Sequence, residues 1–395
     1  MLLLSRVVRP AARIARGMAS AAAAPHSTID VSRLIEIRST HPKPRVAKEK
    51  LVFGVTTTDH MLEVDWDEAA GWHAPVLSPY APFSLDPACN VFHYGIGAFE
   101  GTKCYRDARG RLRLFRPELN MARLAHSMRT LSLPALDEAG FAACITRLAL
   151  ADAGWVPEGD GYSLYLRPTV IGTQPSLGVS RSRSAKLFAI ACPVGPYYPE
   201  GFKPVKLLAE SKFVRAWAGG TGDAKLGGNY APTIRVQAAA AQRGYSQVLW
   251  LFGPEGQVTE VGTMNFFVLW KRRDGELELI TAPLDGTILP GVTRRSILEL
   301  ARGWGEFKVT EAPFTIRELL EAAREGRVVE CFGAGTAAVV SPVRTISFEG
   351  KETEIPLHPT DKSAGAGKLT QRFWNVLADI QYGRVEHEGW SKVIS

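Results

Sequence analysis

Lys225 stands in Gly222-Asp223-Ala224-Lys225-Leu226-Gly227-Gly228-Asn229-Tyr230, a glycine-rich segment with strand-like sequence on either side. Glycine lets a backbone approach a flat group closely and adopt positive φ. A lysine there is either a loop residue in water or a desolvated amine of lowered pKa, suited to Schiff-base chemistry. Glu260 lies in Val258-Thr259-Glu260-Val261-Gly262-Thr263-Met264-Asn265, between apolar runs. Either it faces water at a hairpin turn, or it is buried and needs a partner such as a positively charged heterocycle nitrogen. Two segments could cradle an anion. Gly333-Ala334-Gly335-Thr336-Ala337-Ala338 fits G-x-G-x-x-A, but Val339-Val340-Ser341-Pro342-Val343 follows it. A dinucleotide site requires a helix there, so that reading is poor. Such a turn can still expose successive N–H groups to an anion, or be an ordinary strand turn. Leu289-Pro290-Gly291-Val292-Thr293 leads into a helical pattern whose first amides lack intrahelical partners. Thr293 as a plain N-cap is the alternative. Gly365-Ala366-Gly367-Lys368 resembles the end of a P-loop, but Lys362 and Leu369 break the pattern, leaving a helix-entry loop. An amine, a carboxylate and two N–H cradles for a single phosphate together match the needs of pyridoxal phosphate.

The surrounding elements must hold these groups. Strand-like runs occur at 51–55, 61–66 and 112–115, and Arg116-Pro117 opens a helix with Leu124, Met128 and Leu131 on one face. Asp137 caps a second helix, which Gly154 ends. Strands follow at 162–168 and 186–192, and Gly195–Pro204 reads as an interdomain connection. The second half shows a strand at 205–209, a helix at 231–243, and strands at 246–252, 264–270 and 276–280 with hairpin turns between them. A helix begins near Thr293, Thr315-Ile316-Arg317-Glu318 has capping-box spacing, 328–332 is a strand, and 369–382 is an amphipathic helix. Strand runs with hairpins, interrupted by separate helices, predict an α+β fold beginning near Leu51.

Composition narrows the function. The chain has 395 residues, 46% hydrophobic and 22% charged, too apolar for disorder throughout. No apolar run is long enough to cross a membrane as a helix. Cys89, Cys104, Cys144, Cys192 and Cys331 are widely spaced without C-x-x-C, so free thiols in a reduced compartment and no metal site are expected. Four of the 47 Lys and Arg residues, Arg6, Arg9, Arg13 and Arg16, precede Asp30, where no acidic residue occurs. Without them the net charge of +7 falls to about +3, which argues against nucleic acid as a partner. Helically spaced arginines without acids predict a mitochondrial transit peptide within 1–28; a tail without an address is the alternative.

From Lys225 to Trp270 the sequence resembles the core of the branched-chain amino acid aminotransferases. FGVTTTDHML, HYGIGAFEGTK, LFRPELNMARL, SLYLRPTVIGTQPSLGV, LPGVTRRS and FGAGTAAVVSPV extend the likeness over nearly all of 51–390. The resemblance implies the type IV pyridoxal-phosphate fold, with the cofactor between a smaller N-terminal domain (45–196) and a larger C-terminal one (205–390), joined by 197–204. It implies a homodimer or a multiple of it, with amino acids and 2-oxo acids as partners, which the transit segment would place in the mitochondrial matrix. Leucine, isoleucine or valine would donate to 2-oxoglutarate by a ping-pong mechanism. By the same resemblance Lys225 carries the cofactor and the Cα proton, Glu260 pairs with the pyridine nitrogen, and Tyr230 bonds the ring oxygen. Arg123, the amides of Val292 and Thr293, and Thr336 would hold the phosphate. Thr263 and Thr336–Ala337 would face the substrate carboxylate. Phe53, Tyr94, Phe99, Tyr165 and Tyr197 would form the apolar wall. Leu177 and Val179 would reach into the neighbouring subunit's site, and Arg167 would meet glutamate's distal carboxylate, resting on Tyr165 or Tyr94. Some animal members carry Cys-x-x-Cys after the Gly-Thr-Ala turn, where this chain has Ala338 and Ser341, so redox control by that route is not expected. Competing readings are a D-amino acid aminotransferase, an aminodeoxychorismate lyase, or a homologue without catalysis.

Overall fold

A computed structural model describes residues 26–196, 202–361 and 363–395 of the chain. The predicted transit segment up to residue 25, Tyr197 and most of the predicted connection lie outside them. Two sheets carry the described fold. In the first, Ile35–Glu36, Val76–Pro79, His60–Asp67, Ser184–Val194, Ser163–Gly172, Thr102–Arg106, Leu112–Phe115 and Ser391–Val393 lie side by side in that order. Its longest ladder runs antiparallel from Ser163 opposite Val194 to Gly172 opposite Ala185. Alternate residues of Ser184–Val194 point inward, the period expected of a sheet with a covered face. The helices Pro117–Thr130 and Glu138–Ala151 cover it, burying Leu124, Met128, Phe141, Ile145 and Leu148 in one core with Leu62, Leu164 and Leu187. Asp137 caps the second helix as the sequence suggests, its carboxylate accepting the Gly140 N–H.

The second sheet runs Gln257–Val261, Gln247–Phe252, Val205–Glu210, Val339–Phe348, Val328–Gly335, Met264–Lys271, Leu277–Thr281 and Lys308–Glu311. Parallel and antiparallel pairs mix in it, with separate helices against it, as an α+β fold requires. The two halves are stitched together. Ala98 bridges Leu226, and the C-terminal strand returns to pair Ser391 with Phe115.

Three expectations need correction. Residues 51–55 form turns rather than a strand, and Gly54 has φ 76°. The fold begins earlier than Leu51: Ile29 is buried in the first core, and Ile35–Glu36 pairs with Val76–Pro79. The helix expected at 231–243 is Gly227–Gln242, because extended Leu226 already sets its start despite two glycines.

The helix Lys368–Gln381 starts where the P-loop-like residues stand, and its amides are taken. Buried Glu330 accepts the N–H groups of Leu369 (2.9 Å) and Thr370 (2.8 Å) and the Thr370 hydroxyl (2.5 Å). A Cβ at Gly367 would run into that carboxylate, which is why the loop needs glycine there. Glu330→Ala is expected to destabilise the protein by on the order of 3 kcal/mol, because charge-assisted bonds are lost and buried donors orphaned. The urea unfolding midpoint measures this, and a shift under a tenth of that size would refute the capping role.

Candidate active site

Lys225 is held from both halves of the fold. Its carbonyl accepts the Phe99 N–H (3.0 Å), and its own N–H donates to the Ser127 hydroxyl (2.8 Å). Asn229 donates to the Ala224 carbonyl at 2.9 Å and locks the turn ahead of the helix. The early helix start puts Tyr230 one turn on, where its hydroxyl accepts from the Lys225 Nζ at 2.9 Å. The ammonium also lies 4.8 Å from the Phe99 ring centre. Burial, then the Arg123 charge, pushes the Lys225 amine down to about 7; Glu100 opposes this. Burial pushes the Tyr230 phenol up to about 12, so it stays protonated. The surface-loop alternative for Lys225 is thereby excluded.

Glu260 does not face water either: 2% of it is exposed. The strand Gln257–Val261 turns back at Gly262–Thr263 so that Glu260 pairs with Asn265. One carboxylate oxygen meets Arg215 Nε at 2.6 Å. The other accepts the Leu289 N–H at 2.8 Å and the Asn265 amide at 3.2 Å. Burial raises its pKa, and Arg215 followed by the Leu289 N–H pulls it back. Arg215 is anchored in turn to the carbonyls of Gly222 and Thr287. The sequence reading missed Arg215; an arginine inside the apolar run Phe213–Ala216 was its only signal.

A second buried pair stands opposite. Arg123 Nε and Nη2 donate to the two oxygens of Glu100 at 2.7 and 2.9 Å, and Nη1 donates to the Pro290 carbonyl at 3.0 Å. Glu100, fully buried, also accepts from Asn120 and the Gly101 N–H. Burial works against both charges, yet each partner outweighs it, so Arg123 shifts up and Glu100 down. Glu100 too went unread, although it sits in an apolar run as Glu260 does. Beside this pair the helix Val292–Trp304 begins at Gly291 without a side-chain cap, so Thr293 is not its N-cap. A Cβ at Gly291 would strike the Asn265 side chain.

These groups line one cleft of about 360 Å³. Of the residues singled out from sequence, it brings together Lys225, Tyr230, Glu260, Arg123, Val292, Thr293, Thr336, Ala337, Thr263, Phe53, Phe99, Tyr165 and Arg167. Gln247, Met264 and Asn265 join them unpredicted. Phe53 and Tyr165 meet edge to face at 4.9 Å. Arg167 donates to the Tyr165 hydroxyl at 3.0 Å and stacks on Phe99 at 4.8 Å. Phe99 therefore takes the place expected of Tyr94. Tyr94 does not line this cleft; it donates to the Leu177 carbonyl on the exposed surface that also carries Val179. Neither Leu177 nor Val179 enters the cleft of its own chain.

A model of the class IV amino-transferases matches residues 97–346. The branched-chain-amino-acid aminotransferase of Monosiga brevicollis is 54% identical over 93% of each chain. The mitochondrial enzyme of Rattus norvegicus is 49% identical, covering 91% of this chain and 90% of its own; a cytosolic relative from Mus musculus matches similarly. Among solved structures, the branched-chain amino acid aminotransferase of Thermobaculum terrenum in its PLP form superposes with TM-score 0.67 at 21% identity, over 85% of this chain and 98% of that one, which shows the shared fold. The chain belongs to the class IV aminotransferase family, whose members are pyridoxal-phosphate enzymes. Its activity is that of the branched-chain-amino-acid aminotransferases.

The lysine makes stability depend on pH. Its amine sits at about 7 when folded and returns to 10.5 when unfolded. Below this window both states hold the proton, and the folded state bears the cost of a buried charge. Within it only the unfolded state keeps the proton, so stability rises with pH. In ligand-free protein Lys225→Met should remove a rise of up to on the order of 4 kcal/mol. Urea unfolding across the window compares the two proteins, and parallel curves would contradict the assigned burial.

Proposed function

We propose that the chain transfers the amino group of leucine, isoleucine or valine to 2-oxoglutarate, and back, using pyridoxal 5'-phosphate held in this cleft. The carrying observation is a half-buried, desolvated lysine amine at about 7 that lines one cleft with the buried Glu260. The residues fit that cofactor. Lys225 offers an amine that loses its proton near neutral pH, as attachment to an aldehyde requires. Glu260 offers a buried carboxyl group whose upward shift on burial Arg215 opposes, suited to a protonated ring nitrogen. Uncapped amides at Val292 and Thr293, the Nη1 edge of Arg123, and Thr336 suit a phosphate. When bound, the cofactor supplies an aldehyde and an electron-withdrawing ring.

The chain's own groups do the rest. Lys225 would hold the cofactor through its amine, and the same amine would move the proton at the substrate Cα. Tyr230, a protonated phenol 2.9 Å from that amine, orients it and bonds the ring oxygen. Thr263 and the turn Thr336–Ala337 receive the substrate carboxylate. Phe53, Phe99 and Tyr165 exclude water around a branched side chain. The surface carrying Leu177, Val179 and Tyr94 suits a homodimer in which each chain completes its partner's wall. Tyr197 is assigned to the same wall by resemblance. We take 45–196 and 205–390 as the two domains, 197–204 as their connection, and 1–28 with its four arginines as a transit segment addressing the mitochondrial matrix, in keeping with relatives named mitochondrial. Lys225→Ala should fold yet lack both turnover and the visible absorption of lysine-bound cofactor. Wild-type turnover in that variant would sink the assignment.

Dual specificity rests on Arg167. The cleft must take an apolar leucine side chain and a charged glutamate one. An isolated carboxylate is too costly to bury, so a cation must wait there without demanding an acid when leucine is bound. Among the described residues no carboxylate pairs with Arg167; it leans on Tyr165 and Phe99 instead. A weakly hydrated guanidinium tolerates that setting. Arg167→Met should cost the glutamate half-reaction on the order of 2–4 kcal/mol of transition-state stabilisation and the leucine half-reaction much less. Single-turnover rates with each amino acid decide it; equal losses refute the role.

A further inference from the structure

A second cavity, of about 240 Å³, lies behind the turn that forms one wall of the cleft, and Ala337 and Ala338 line both. Lys103 opens into it from the strand Thr102–Arg106. This lysine is 6% exposed, and its ammonium makes a single hydrogen bond, to the Ala337 carbonyl at 2.9 Å. No carboxylate pairs with it among the described residues. The titratable group that acts on it is the Cys192 thiol, which burial itself pushes up and so keeps uncharged. Burial pushes the Lys103 amine down to about 8, which still leaves it largely charged at neutral pH. A cation this far from water normally has an anionic partner.

The cavity holds a second polar group without one. Gln381 is 5% exposed, lines the cavity, and its side-chain amide makes no hydrogen bond among the described residues. The remaining surface is apolar and aromatic, from Trp374, Tyr105, Tyr382 and Phe202. The Tyr382 hydroxyl is already spent on the Tyr162 carbonyl (2.7 Å), so it presents its ring. The volume is ample for one ring, since an apolar cavity of roughly 150 Å³ accommodates benzene.

We propose that this cavity is a second ligand site, for a small monocarboxylic acid with an apolar or aromatic tail. The carboxylate lies on Lys103 and Gln381, and the tail lies among the four aromatic side chains. The charge-assisted bond supplies the partner that Lys103 lacks. Occupancy also bears on the cleft. The occupant competes with the Ala337 carbonyl for the ammonium, and the same turn contains Val339, a β-branched residue held at φ 62°. That conformation is unfavourable for a side chain branched at Cβ, so the turn has a second arrangement within reach once its anchor moves.

The probe is 4-bromobenzoate, with the cofactor-loaded enzyme. Crystals soaked in it should show an anomalous bromine peak among Trp374, Tyr105 and Tyr382, apart from the catalytic cleft. In solution, calorimetric titration should show this binding weakened at least tenfold by Lys103→Met, which removes the charge, and by Ala378→Phe, which fills the space and keeps the charge. Either variant alone suffices if the other fails to fold. Bromine found only in the catalytic cleft or nowhere, or binding to this cavity that survives in both folded variants, overturns the proposal.

Discussion

Glu260 and Arg215 meet at 2.6 Å with both side chains almost wholly out of water, and the cleft is arranged around keeping that pair closed. A buried carboxylate without a cation would take up a proton, and a buried guanidinium without an anion would be worse placed still. The pair therefore needs supports of its own. Leu289 and Asn265 satisfy the second oxygen of Glu260, and the carbonyls of Gly222 and Thr287 satisfy the rest of Arg215. Those carbonyls belong to the segments that carry Lys225 and the start of the helix at Val292. Fixing one ion pair thus fixes the approach of the lysine loop and of the uncapped helix end. A Cβ at Gly291 would strike Asn265, and one at Gly222 would strike Ala216 and the Gly286 carbonyl, so both positions take glycine.

The second pair does for the first half of the chain what the first does for the second. Glu100 follows Phe99, whose N–H holds the Lys225 carbonyl, and Arg123 reaches across to the Pro290 carbonyl. Arg123 holds Glu100 by a bidentate contact that a lysine could not make, and its remaining nitrogen ties both to the Pro290 loop of the other half. The cleft is the seam between the halves, so its geometry is only as good as these two pairs.

Much of this was legible beforehand. Glycines around Lys225, an acid between apolar strands and a helix start at Val292 without a side-chain cap are local signals, and each is present in the fold. The helix Pro117–Thr130 and the strand Leu112–Phe115 were readable because their periods are unbroken over their whole length. Partnership was not legible. Arg215 and Glu260 are far apart in sequence, and nothing local says which arginine a buried acid will meet. Residues 51–55 misled for a related reason: a short apolar run predicts a strand, yet Gly54 takes positive φ and Phe53 packs on Tyr165. Tyr94 misled because a single chain cannot show which chain's cleft an exposed ring serves. Ile35 was overlooked because a two-residue strand has no period to read, and Ile29 because it is a lone buried residue outside any strand or helix.

Pairing also explains how the amine can be held near 7. Desolvation is the first cause, but an unpaired Arg123 and Arg215 would drive the proton off far more strongly, and unpaired Glu100 and Glu260 would hold it on. Within each pair the two charges act on the amine in opposite senses, so burial is left as the largest cause. Arg123 depresses the amine more than Glu100 restores it. The cleft thus tunes its lysine by burial first, then by the Arg123–Glu100 pair, and then by Arg167, whose guanidinium no carboxylate neutralises among the described residues.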